Sequence, residues 1–140
     1  VRVEGPDALG SLQAAFTNDL DKVAAGRAQY THLCDEVDGS VLDDIIVWWV
    51  DEQRFDVMPN ASNTGRVVAA LGGEDTTSGR AVIAVQGPEA RRLLAAVSEE
   101  AAAVPRFRVG RFTWQGVECT AAGTGFRSQI KPQKDIAFNM

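Results

Sequence analysis

Two apolar runs joined by a polar turn dominate the hydrophobic pattern of this chain, Gln29 to Cys34 and Val41 to Val50. The Asp, Val, Asp, Gly and Ser between them are turn residues, so the pair predicts two successive strands. The second run is apolar except for the adjacent Asp43 and Asp44. Alternate residues of a strand share a face, which puts Leu42, Asp44, Ile46 and Trp48 on one side and Val41, Asp43, Ile45, Val47 and Trp49 on the other. Both sides are otherwise apolar, and that predicts a strand covered on both. A carboxylate in such surroundings is costly unless it is hydrogen-bonded, paired or protonated. Two readings stay open: ordinary charges at an exposed strand start, or a site carboxylate.

The rest of the pattern frames this pair. Val1 to Val3 predicts a short strand, and Gly5-Pro6-Asp7 opens a helix that buries Leu9, Leu12 and Phe16 and ends at Thr17-Asn18-Asp19. Phe55 to Met58 reads as a further strand. After Pro59, with Asn60 or Ser62 as cap, a helix runs to Leu71, burying Val67, Val68 and Leu71, and stops at Gly72-Gly73. Ala81 to Val85 reads as a strand, Gly87-Pro88-Glu89 as the start of a helix with Leu93, Leu94 and Val97 on its apolar side. Arg106 to Trp114 and Val117 to Ala122 read as a hairpin about Gln115-Gly116. This order predicts an α+β chain: a ferredoxin-like βαββ(β)αβ unit over 1–79 carrying the Asp-Asp pair, and part of a second α/β unit over 80–126. Val3-Glu4-Gly5-Pro6-Asp7-Ala8 matches Val85-Gln86-Gly87-Pro88-Glu89-Ala90, with Leu12 and Leu94 following at the same distance. Gly-Pro-acid is a generic helix start, which favours two uses of one turn over an internal repeat.

Charge changes the picture at the end of the chain. The 140 residues carry a net charge of -5, which argues against nucleic-acid binding. Yet 127–140 has three basic residues and one acidic, with no clear period. It reads as a tail, flexible or foreign, whose removal from Ile130 onward leaves folding intact unless it adds a strand to an open sheet edge. The start at Val1, already strand-like, suggests a piece of something longer. No apolar run approaches the roughly 20 residues needed to span a bilayer. Cys34 and Cys119 read as small buried hydrophobes, which points to the cytoplasm. With His32 as the one histidine and no ligand spacing, no metal is expected.

Seven stretches in order carry a resemblance: Val3-Glu4-Gly5-Pro6, Thr17-Asn18-Asp19, Ala28-Gln29-Tyr30-Thr31, Asp38 to Val47, Pro59-Asn60-Ala61-Ser62-Asn63, Ala84-Val85-Gln86-Gly87-Pro88 and Gly123-Thr124-Gly125-Phe126. From Val1 to Phe126 the chain resembles aminomethyltransferase, the T-protein of the glycine cleavage system. The resemblance implies the T-protein folate-binding fold, with tetrahydrofolate accepting a one-carbon unit from the lipoyl arm of the carrier H-protein and ammonia released. It puts the essential aspartate on Asp44 and folate-pocket positions at Thr17, Tyr30, Trp48 and Asn60. Ile46 and Trp48 beside Asp44 would form apolar walls for a flat heteroaromatic, and Asp44 could steer a proton at the folate nitrogen or stabilise a cationic iminium. Trp48 departs from the tyrosine often found there. In the Gly-Tyr-Thr-Gly-Glu motif the tyrosine has become Phe126, and the position of the pterin-gripping glutamate holds Gln129.

Related readings differ by motif. A folate-binding module of iron–sulfur protein maintenance would carry Lys-Gly-Cys-Tyr, absent here; a sarcosine or dimethylglycine dehydrogenase would add a flavin-binding Gly-x-Gly-x-x-Gly in a longer chain. A non-catalytic folded fragment or chimeric domain is the further alternative. A segment without the rest of its enzyme is expected to be inactive and to associate with itself through newly exposed apolar surface, with Trp49, Phe112 and Trp114 as candidates.

Overall fold

The computed structural model describes residues 1–124 and, for the backbone, 136–139. The chain divides into two units, Val1–Ser78 and Gly79–Met140. The first runs β1 (Arg2–Glu4), α1 (Ala8–Ala15), β2 (Arg27–Cys34), β3 (Val41–Asp51), β4 (Arg54–Met58) and α2 (Thr64–Leu71). Its strands pair in the order β1-β4-β3-β2, every ladder antiparallel. The α+β class stands, but no parallel ladder occurs among these strands. The ferredoxin-like interleaving expected from element order is therefore not how they pair: β1 lies against the end of a three-strand meander instead.

The core of this unit follows from alternation. Val3, Phe55, Val57, Ile45, Val47, Trp49 and Leu33 come from four adjacent strands and meet Leu12 and Phe16 from α1 and its end, and Val67 and Leu71 from α2. Trp49 and Phe55, directly opposite in the ladder, stack with ring centroids 4.9 Å apart. Trp49 is thus a core residue and not part of an exposed association surface. The opposite face of β3 is also covered at Ile46 and Trp48, as its two apolar faces predict.

The second unit uses the same plan. It contains β5 (Val82–Val85), α3 (Ala90–Ala95), α4 (Glu99–Ala103), β6 (Val109–Trp114), β7 (Val117–Ala122) and β8 (Ile136–Asn139), with strand order β5-β8-β7-β6. The order repeats that of the first unit strand for strand. The entry to each helix repeats too. Gly5 and Gly87 both have φ +114, a conformation side chains oppose, and each accepts at 3.1 Å from the amide of the alanine three residues on, Ala8 or Ala90. Those alanines and Leu12 and Leu94 are buried in both units. The matching motifs therefore mark an internal repeat, contrary to the reading of one turn used twice. Only Leu94 of the expected apolar side of α3 is buried; Leu93 and Val97 are exposed. The helix α4, capped by the Ser98 hydroxyl accepting from Ala101 N–H, had no clear sequence signal in an alanine run.

The segment read as a tail contributes a strand. β8 pairs with both β5 and β7, inside the sheet and not on its edge, so for 136–139 the expectation of a dispensable tail does not hold. Residues 125–135, with Phe126 and Gln129, lie outside the described residues.

Gly123 is held where a side chain cannot go. A Cβ there would lie 2.2 Å from the Pro105 carbonyl oxygen, because Gly123 closes a bridge to Arg106 and exchanges hydrogen bonds with Phe107 and Arg108. Gly123→Ala should destabilise the chain by about 3 kcal/mol, read as a lowered midpoint in urea unfolding. An unchanged midpoint would show that this backbone crossing can relax. No helix among the described residues is long and apolar enough to cross a membrane.

Candidate functional site

The strand β3 sorts its two carboxylates to opposite faces. Asp43 shares the inner face with Ile45, Val47 and Trp49 and is 3% exposed. Asp44 shares the outer face with Ile46 and Trp48 and is half-buried. The ladder with β2 sets His32 opposite Asp44, Tyr30 opposite Ile46 and Ala28 opposite Trp48. Three of the residues singled out from the sequence, Tyr30, Asp44 and Trp48, thus lie on one face of adjacent strands. Trp48 is 1% exposed. It forms the floor beneath this face and not a wall touching solvent, and its indole Nε1 is buried without a hydrogen-bond partner among the described residues.

Thr17 and Asn60 reach the site differently. Thr17 and Asn18 run along the outer edge of β2. Thr17 N–H donates to the His32 carbonyl at 3.2 Å, its hydroxyl accepts from His32 N–H at 3.3 Å, and the Asn18 amide donates to the Tyr30 carbonyl. This blunts an open strand edge and holds the Tyr30 and His32 backbone in place. The following Asp19 carboxylate is held below the usual range, first by the Gln13 amide donating at 2.8 Å and then by Asp21 N–H and Lys22. A carboxyl depressed in this way favours the folded chain above its ordinary titration range, and that contribution fades as pH falls through the lowered value. Since the Asp19 carboxylate keeps 39% of its side-chain surface in solvent, the effect on stability is small.

Asn60 follows β4, and its side chain does not cap a helix as expected. Its Nδ2 donates to Asp43 Oδ1 at 2.6 Å and to the Asp44 carbonyl at 3.4 Å, while its backbone N–H donates to Asp43 Oδ2 at 3.1 Å. Asn63 Nδ2 adds a bond to Asp43 Oδ1 at 3.0 Å and one to the Leu42 carbonyl at 3.2 Å. Asp44 N–H also donates to Asp43 Oδ1, at 3.0 Å. The buried Asp43 therefore meets N–H groups on every side, which answers the cost of burying it. Neither Asn60 nor Asn63 caps the turn it precedes; both turn their NH₂ groups onto Asp43 instead. Sequence reasoning missed Asn63, although the spacing of the two asparagines after β4 was visible.

Farther along the same outer face, Asp56 stands opposite Trp48 and Arg2. It is 3% exposed and paired with Arg2 at 3.5 Å and Arg54 at 3.2 Å, both of which also meet Glu4. The alternation of Arg54 and Asp56 with Phe55 and Val57 was the available signal for this cluster. A buried carboxylate between two guanidiniums fixes the β1–β4 end of the face.

A half-buried carboxylate over an aromatic floor, its backbone fixed by a clamped neighbour, suits proton handling at a flat polar ligand. The architecture is that of the T-protein fold. The solved glycine cleavage system aminomethyltransferase T from Bartonella henselae superposes with a TM-score of 0.79 at 24% identity, over 99% of this chain and 38% of that one. Residues 1–130 match the family described as the GCVT N-terminal domain, and the chain belongs to that family. It is similar to the aminomethyltransferase of Exiguobacterium sibiricum, 35% identical over 136 residues, which cover 91% of this chain and 38% of that protein. It is also similar to that of Mycolicibacterium paratuberculosis, 41% identical over 101 residues, covering 66% and 27%. The chain spans 27% to 38% of these relatives' lengths.

Proposed function

We propose that this chain is the segment of a tetrahydrofolate-dependent aminomethyltransferase that carries its acid–base carboxylate. The supporting observation is the shared face of Tyr30, Asp44 and Trp48. In the intact enzyme the one-carbon unit arrives as an aminomethyl group on the lipoyl arm of an H-protein, in the cytoplasm, and passes to the folate with loss of ammonia. Tetrahydrofolate supplies the nucleophilic nitrogen. The residues present fit such a group: Asp44 and the Asn60 carbonyl oxygen offer acceptors for ring and amine N–H, and Ile46 and Trp48 lie beneath. Asp44 carries the chemistry, taking or steering the proton at the attacking nitrogen and offsetting positive charge as the adduct forms. Tyr30 lies beside it on β2, Thr17 steadies that strand's edge, and Asn60 borders the carboxylate from β4.

The 140-residue chain alone should bind a reduced folate weakly and transfer no aminomethyl group, since most of its relatives' length lies outside it. Self-association is part of this reading. Ile83, Val85, Leu94, Val97, Ser98, Phe112 and Trp114 of the second unit line an apolar cavity of about 200 Å³, and sedimentation of concentrated protein should show dimers. The test of the site is a titration with 5-formyltetrahydrofolate followed by tryptophan fluorescence. Saturation at up to about millimolar ligand, weakened by Asp44→Asn, is expected. No saturation for the unmodified chain would sink the folate reading, and a strictly monomeric protein would remove its oligomeric part.

A further inference from the structure

Asp43 leaves the Asn60 amide one way to stand. All four groups on its carboxylate are N–H donors: Asp44 N–H, Asn60 N–H, Asn60 Nδ2 and Asn63 Nδ2. A carboxylate in that setting accepts throughout, so the Asn60 amide can turn only its NH₂ inward. Both Nδ2 hydrogens are then used, one on Asp43 Oδ1 at 2.6 Å and one on the Asp44 carbonyl at 3.4 Å. What Asn60 has left for a ligand is Oδ1. Asn60 is exposed, whereas Asp43 is 3% exposed, so the buried charge controls what the rim offers.

We propose that Asp43 is a positioning residue that sets the hydrogen-bonding sign of the rim beside Asp44, and that the ligand edge meeting Asn60 is an N–H donor. The proposal rests on the folate reading above and adds to it a specificity: an edge presenting only lone pairs would face acceptor against acceptor and be rejected. Asp43 touches no ligand in this scheme. It acts through the Asn60 amide, and through Asp44 N–H it also fixes the backbone from which the Asp44 carboxylate projects.

The test compares three forms of the full chain: unmodified, Asp43→Asn, and the swap Asp43→Asn with Asn60→Asp. Asparagine at 43 has an amide of its own, so the Asn60 amide loses its reason to point one way. In the swap the amide at 43 donates to the carboxylate at 60, and an acceptor oxygen again faces outward. Binding of 5-formyltetrahydrofolate, the side-chain amide ¹⁵N–¹H signals of Asn60 and Asn63, and the melting temperature are measured for each. In the unmodified chain the Asn60 amide protons should exchange slowly and sit apart from those of solvated asparagines. Asp43→Asn should abolish that signature and weaken folate binding about tenfold, and the swap should recover affinity to within about threefold of the original. If Asp43→Asn lowers only the melting temperature, with affinity of the folded protein unchanged, Asp43 is merely structural and the proposal is wrong. A swap that stays folded and binds no better than Asp43→Asn also overturns it. Should Asp43→Asn fail to fold, the swap compared with the unmodified chain still decides. Absence of folate binding by the unmodified chain would instead bring down the folate reading, with the amide signals reporting separately on the clamp.

Discussion

Asp44→Asn in an intact aminomethyltransferase carrying this segment should lower turnover by about 10²- to 10⁴-fold while weakening folate binding far less. Asparagine keeps the shape and one hydrogen-bonding oxygen, but it has neither the charge nor the basicity that the transition state requires. The half-buried position of Asp44 on the outer face of β3 leaves it within reach of a ligand. Asp43→Asn should behave in the opposite sense. Four N–H groups depend on that carboxylate, so its loss should appear as lower stability and weaker folate binding, with a smaller effect on the chemical step once folate is saturating. Turnover at saturating folate separates the two. Equal losses of turnover from both variants would mean that the pair shares one structural task and that Asp44 has no chemical role of its own.

Deleting Ile136 to Met140 should uncouple the second sheet. β8 is the one strand joining β5 to β7 in the order β5-β8-β7-β6; without it β5 keeps no partner in that sheet and β7 keeps only β6. The expected result is a fall in melting temperature of about 10 °C or more for the second unit. Hydrogen exchange should show β5 and β7 amides losing protection, while the β2 and β3 amides of the first unit keep theirs. Unchanged protection of β5 would mean that the strand is held by other contacts and that β8 is dispensable.

Much of the first unit was legible because its residues leave few choices. The part of β2 from Gln29 to Cys34 and the start of β3 at Val41 follow from apolar runs bounded by turn residues, and strict alternation separated Asp43 from Asp44. What alternation cannot say is which face is the deep one. That was decided by α1 and α2 bringing Leu12, Val67 and Leu71 onto the Asp43 side, and by two asparagines arriving from beyond β4. Strand order was not legible either, because the pairing of β1 with β4 depends on residues far apart in sequence. In the second unit α4 is a short run of Glu and Ala without a hydrophobic period, and β8 is four residues inside a polar, basic stretch. Composition argued against both, and in β8 the pairing of the backbone on both sides prevailed. Trp48 shows a further limit: an aromatic next to a site carboxylate suggests a wall, but only burial reveals it as a floor.

The repeated strand order has a consequence for how the chain is made. In each unit the last strand fits between the first and third: Val3 waits for Phe55, and Ile83 for Phe138, roughly fifty residues later in both cases. A chain leaving the ribosome can close its first sheet once Met58 is free. Its second sheet stays in two pieces until Asn139 has emerged, and the edges of β5 and β7 that β8 joins are not paired with it in the meantime. A stall before Ile136 emerges would thus leave a first unit that is whole and a second whose β5 and β7 offer unsatisfied edges to whatever strand comes by.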